Sequence, residues 1–146
     1  MVTTQTNPNL SINAVTTNMR LKLQKFWLTI GLGFIGLVVF LSLTPDLPDT
    51  GLQHGMKIGH ILAYCWLMFW FAQVYPTATA RYRLAATFCA MGISLEYMQG
   101  MSAYRGFEYS DMLINAFGVG LGLLLSYTRL QHLLARLETL LLRGTA

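Results

Sequence analysis

Four apolar runs, Phe26 to Leu43, Ile58 to Tyr75, Leu84 to Met98 and Met112 to Tyr127, occupy most of a 146-residue chain. With 54% hydrophobic residues and a positive mean hydropathy, too little polar sequence remains to cover an ordinary soluble core of this size. The pattern predicts an all-α membrane protein, a four-helix transmembrane bundle. At ~1.5 Å per residue the first two runs reach roughly 27 Å, slightly under the ~30 Å hydrocarbon thickness, so flanking residues complete them. The third run is shorter. To span, it recruits Arg81 to Arg83 at one end and Glu96 to Gly100 at the other, which places Glu96 and Gln99 in its final turn.

Charge sets the expected orientation. Arg20, Lys22 and Lys25 precede the first run, Arg81 and Arg83 separate the second from the third, and Arg129, Arg136 and Arg143 follow the fourth; these are eight of the ten Lys and Arg residues. The positive-inside rule then puts both termini and the middle connection on the cytoplasmic side of a bacterial inner membrane. The other two connections, TPDLPDTGLQHGMK and MQGMSAYRGFEYSD, carry Asp46, Asp49, Glu108 and Asp111 with only Lys57 and Arg105, and face outward. Pro45 and Pro48 stop the first helix.

The ends divide from this core. Residues 1–19 form a Thr- and Asn-rich tail without Lys or Arg, expected to be disordered and unlike the basic start of a cleaved leader. Residues 20–128 form the four-span domain. In residues 129–146, Leu130, Leu133, Leu134, Leu137, Leu140 and Leu141 recur at helical spacing opposite Arg129, His132, Arg136 and Arg143, which predicts an amphipathic helix on the inner leaflet. A net charge of +4 does not imply nucleic acid, because the cations neither cluster in one patch nor alternate with stacking aromatics. Cys65 and Cys89 sit in apolar runs without metal-ligand spacing and read as buried free thiols. Trp27, Trp66, Trp70, Tyr75 and Tyr82 read as interface anchors or lipid-facing bulk, and Met91, Met98 and Met101 as fillers of irregular gaps.

Against this background the polar residues of LEYMQGMSAYRGFEYSDMLINAFGVGLG, residues 95–122, stand out. Asp111, Asn115, Gly118 and Gly122 fall at i, i+4, i+7 and i+11, one narrow stripe along the fourth helix. Gly118 and Gly122 let a neighbouring helix approach closely, and Asp111 lies in the first turn, where the helix dipole favours a carboxylate. Lys57, His60 and Tyr64 share a face of the second helix, and Glu96 and Gln99 share the outer end of the third. All are expected to meet at the same leaflet, with Arg105 as counter-charge. An acid at the bilayer centre costs on the order of 3 kcal/mol, so such groups belong near the interface and paired within the bundle.

The ordered set Lys57, His60, Tyr64, Glu96, Gln99, Arg105, Asp111, Asn115, Gly118 and Gly122 resembles the signature of the VanZ-like membrane proteins, D-K-x-x-H-x-x-x-Y followed by E-x-x-Q, a loop Arg and D-x-x-x-N-x-x-G, over residues 26 to 127. One departure is Met56, where the family pattern carries an acid before the Lys. The resemblance implies a multi-span protein of the bacterial cell envelope, associated in the family's namesake with reduced susceptibility to teicoplanin, and implies no particular mechanism.

Three function classes fit these residues. In the first, an outward pocket binds a polar lipid headgroup or lipid-linked cell-wall intermediate, Lys57 and Arg105 meeting phosphate or carboxylate and Glu96 and Asp111 an amine. In the second, His60 acts as general base, oriented by Glu96 or Asp111, in a membrane-surface hydrolase or transferase. No nucleophile elbow or HExxH accompanies it, and Ser102 and Ser110 have ordinary loop or cap explanations. In the third, the polar groups only fix helix register in an accessory subunit that docks on other membrane proteins. No cofactor is expected. A metal on His60, Glu96 and Asp111 lacks diagnostic spacing, and none is assigned.

Overall fold

The computed structural model describes residues 21–44, 53–101 and 107–143. The tail 1–19, Asp46, Asp49, Ser102 and Arg105 lie outside these residues. Every regular element among them is helical: α1 Gln24–Leu43, α2 Gln53–Val74, α3 Ala78–Gly100, α4 Tyr109–Leu125, a 3-10 turn Arg129–His132, and α5 Leu133–Arg143.

Local chemistry sets the boundaries. Thr44 is extended, as a residue before a proline prefers, and α1 stops there. The Thr77 side chain caps α3 by accepting the Ala80 N–H at 3.3 Å. At the end of α4 the Ser126 hydroxyl donates to the Leu123 carbonyl at 2.6 Å. Thr128 then caps the 3-10 turn, accepting the Leu130 N–H at 3.2 Å. Where one amphipathic helix is expected after α4, the chain has this 3-10 turn and then α5, and the Arg129–Arg143 segment meets α4 at a bend of 74°.

The helices run up, down, up and down. Gln24 of α1 donates to the Val74 carbonyl at the end of α2, while at the opposite end Gln99 of α3 donates to the Ser42 carbonyl at the end of α1. We call the second of these the upper end and the first the base. α2 is central, touching α1, α3 and α4, and its most extensive partner is α4. The reason is the absence of side chains on α4. A Cβ at Gly118 would stand 2.6 Å from the Ile61 carbonyl oxygen, and one at Gly122 would overlap the Cys65 carbonyl and stand 2.8 Å from Met68 Cβ. α1 approaches α2 in the same way, since a Cβ at Gly31 would meet Trp70 at 2.9 Å.

The core lies toward the base, where Trp27, Leu67, Met68, Trp70, Phe71, Phe88 and Leu134 are buried. Ring pairs stitch it together, Trp27 with Trp70 at 5.8 Å and Phe34 with Trp70 at 5.1 Å between centroids. This corrects the reading of the tryptophans. Trp27 and Trp70 are core residues, because each indole N–H finds an internal acceptor, whereas Trp66 keeps 42% of its surface exposed. Met98 and Met101 are likewise exposed rather than gap-filling, and of the three methionines only Met91 packs against the core.

Among the described residues one helix, α1, is long and apolar enough to cross a membrane, or two if α4 and the bent segment after it form one span. The other helices carry charged and amide groups, Lys57, Gln73, Arg81, Glu96 and Gln99, within their length, and α4 has 17 residues.

Candidate functional site

The upper end gathers polar groups from three helices. The last turn of α3 places the Glu96 carboxyl against the entry to α4, where Oε1 accepts the Glu108 N–H at 2.8 Å. Glu108 is the N-cap of α4 with an extended backbone and makes no side-chain cap, so this bond from α3 fixes how the helix begins. Asp111 and Asn115 follow in the first turns of α4, both buried. Ser110 lies between three charges: its Oγ is 3.0 Å from Glu108 Oε2 and 3.3 Å from Asp111 Oδ1, and accepts from Lys57 Nζ at 3.5 Å. Lys57 also pairs with Glu108 at 3.7 Å, a solvent-exposed contact worth at most about 1 kcal/mol.

One turn deeper, His60 Nδ1 meets Asn115 Oδ1 at 3.1 Å, joining α2 to α4. With Asn115 oriented this way, Nδ1 carries the proton and donates. Tyr64 lies below His60 and is buried, its hydroxyl 3.3 Å from the point a Cβ would occupy on Gly92; Asn115 approaches the same point at 3.1 Å. Gly92 is therefore where α2, α3 and α4 converge.

Most of the residues marked by sequence spacing come together here: Lys57, His60 and Tyr64 from α2, Glu96 from α3, Asp111 and Asn115 from α4. Gly118 and Gly122 lie further down the same stripe, and they pack against the backbone of α2. Gln99 differs. Its amide Nε2 donates to the Ser42 carbonyl at 2.7 Å, so it also ties α3 to α1. Arg105 lies outside the described residues. At Nδ1 the general-base arrangement also differs from expectation, since the group orienting His60 there is an amide and not the carboxylate of Glu96 or Asp111.

Two buried side-chain atoms at this convergence, the Tyr64 hydroxyl and Glu96 Oε2, have no hydrogen-bond partner among the described residues. Tyr64 and Glu96 each keep 1% of their surface exposed. An unpaired buried polar group costs about 1–3 kcal/mol, and more for a charged one, so two in one place call for a donor or acceptor beyond those the described residues supply. Among the described residues no group of three His, Cys, Asp or Glu side chains is placed to hold a metal ion.

The base holds a second polar network that sequence spacing missed. Glu138 of α5 is buried; its carboxylate accepts the Lys22 N–H, the Leu23 N–H at 3.0 Å and the Trp27 indole N–H at 3.0 Å. It thus caps α1 from another helix. Gln73 at the end of α2 accepts the Leu134 N–H at 2.9 Å and so caps α5. Arg81, expected to extend the third run at its end, is buried in the first turn of α3, where it donates to Gln131 at 3.1 Å and stacks over the Tyr127 ring at 5.0 Å. The available signal was a lone acid, Glu138, on the side to which the positive-inside rule assigns the cations.

Compared with known proteins, the chain matches no family model, no curated protein and no solved structure.

Proposed function

We propose that the chain is a VanZ-like integral membrane protein of the bacterial cell envelope. In this reading α1 to α4 are four spans, both termini are cytoplasmic, and the upper end faces outward. There it binds lipid headgroups or a lipid-linked cell-wall intermediate and influences sensitivity to teicoplanin-type glycopeptides.

The observation that carries the binding site is the buried pair of Tyr64 hydroxyl and Glu96 Oε2 at the junction of three helices, without a partner among the described residues. A ligand bearing N–H or O–H groups satisfies both, the carboxylate accepting and the phenol accepting or donating. The four-span arrangement has its own support in the outward surface. Phe40, Leu62, Leu113, Phe117 and Leu124 each leave more than half of their area exposed, on α1, α2 and α4. On α4 the exposed positions 109, 113, 117, 120 and 124 form a stripe opposite the packed one. An apolar exterior of this extent is ordinary in lipid and a liability in water.

Glu96→Gln and Tyr64→Phe test the site. Each keeps shape and removes one of the two groups. The expected result is normal membrane abundance with loss of headgroup lipid retained on the purified protein, read by native mass spectrometry, and altered teicoplanin sensitivity in cells. Retained lipid and sensitivity both unchanged at normal abundance would reject a binding role and leave the groups as helix contacts.

A further inference from the structure

We propose that α5 is an interfacial helix that seats on an anionic lipid leaflet at the base of the bundle. The inference rests on the membrane reading above but concerns the opposite end of the molecule.

α5 carries three distinct faces. Leu134 and Glu138 are buried against the bundle. At ~100° per residue, Leu133, Leu137, Leu140 and Leu141 centre about a quarter turn from that docked face, and all four are exposed. Arg136 and Arg143, one heptad apart, point away from the bundle and are exposed, as is Arg129 in the preceding 3-10 turn. The helix is held firmly in this pose. Glu138 caps α1, Gln73 caps α5, and the chain turns 74° between α4 and the Arg129–Arg143 segment.

If α4 crosses the bilayer, a 74° bend lays α5 nearly flat at the membrane surface. Its leucines then meet the acyl boundary beside the bundle, and its arginines stay at headgroup level. Charge selects the occupant. On this segment the exposed charges are cationic, Arg129, Arg136 and Arg143, while the one acid of α5, Glu138, is turned inward onto α1. A leucine face bordered by cations fits an anionic leaflet, where each Lys or Arg near the surface adds about 1 kcal/mol, close to five-fold.

The test uses the full chain reconstituted in phosphatidylcholine vesicles with and without phosphatidylglycerol. With spin-labelled lipids, the protein is expected to prefer phosphatidylglycerol over phosphatidylcholine, and R129Q/R136Q/R143Q, which alters only exposed side chains, lowers that ratio. In a Cys65→Ala, Cys89→Ala background, nitroxides at Leu137→Cys, Arg136→Cys and Leu113→Cys give depth by oxygen against nickel-reagent collision. Oxygen access at 137 and nickel access at 136 are expected. A label at 137 open to nickel, or shielded from both reagents as under a protein partner, overturns the inference, as does a lipid preference unmoved by the triple variant. The label at 113 separates the two readings: buried in lipid, it leaves the membrane assignment standing whatever α5 does, and exposed to nickel it rejects that assignment itself.

Discussion

Gly122 shows how much one missing side chain decides. A Cβ there would overlap the Cys65 carbonyl, whereas one at Gly120, two residues away on the exposed stripe, would meet nothing within 4 Å. Gly122→Ala is expected to force α4 off α2 and cost about 1–3 kcal/mol, the usual range for overpacking. Gly120→Ala is expected to be neutral or stabilising by about 0.5–1 kcal/mol, from helix propensity alone. Unfolding of the two variants in mixed detergent micelles checks the contrast, and equal losses would mean that α2 does not run along this stripe. This part of the structure was legible in the sequence because the spacing of Asp111, Asn115, Gly118 and Gly122 is itself a geometric statement about one helix face. The partner of that face was not legible. For Gln99 the spacing could not say that it also reaches α1, since a residue three positions from Glu96 shares its face yet lies nearer the end of α1.

At the scale of elements, the end of the chain departs most from its sequence pattern. Leucines and arginines repeat through residues 129–146 as in a free amphipathic helix, and local periodicity cannot say which side docks. The deciding residues lie elsewhere, in the open N–H groups at the start of α1 and in Gln73 at the end of α2. α5 is consequently part of the bundle. Glu138→Ala is expected to leave three donors without their acceptor and to destabilise the fold by about 2–3 kcal/mol. Removing residues 129–146 is expected to do the same and also to wet Trp27 and Trp70, so that tryptophan emission moves to the red. Emission unchanged by the truncation would show that α5 does not cover this core. The same contacts explain why Trp27 and Trp70 were misread: an indole near the end of an apolar run looks like an interface anchor unless its N–H acceptor is known.

At the scale of the whole molecule, the up-and-down order brings the start of α1, the turn from α2 to α3 and all of α5 to the base, and the ends of α1 and α3 with the start of α4 to the upper end. The four apolar runs foretold four helices, with boundaries extended by a few residues wherever a cap such as Thr77 lies outside the apolar run. They did not foretell the unequal polar content that leaves α1 as the helix best suited by composition to cross a bilayer. α2, α3 and α4 turn His60, Glu96, Asp111 and Asn115 toward one another, so an average over each run understates how apolar the exposed stripe of a helix such as α4 is. The account therefore stands or falls on where the two ends lie relative to a membrane. The direct measurement is labelling of single cysteines, in a Cys65→Ala, Cys89→Ala background, by a membrane-impermeant maleimide on intact spheroplasts, at exposed Tyr109 of the upper end and exposed Arg129 of the base. Labelling is expected at 109 without permeabilisation and at 129 only after it; equal labelling of both positions in intact cells would overturn the membrane reading.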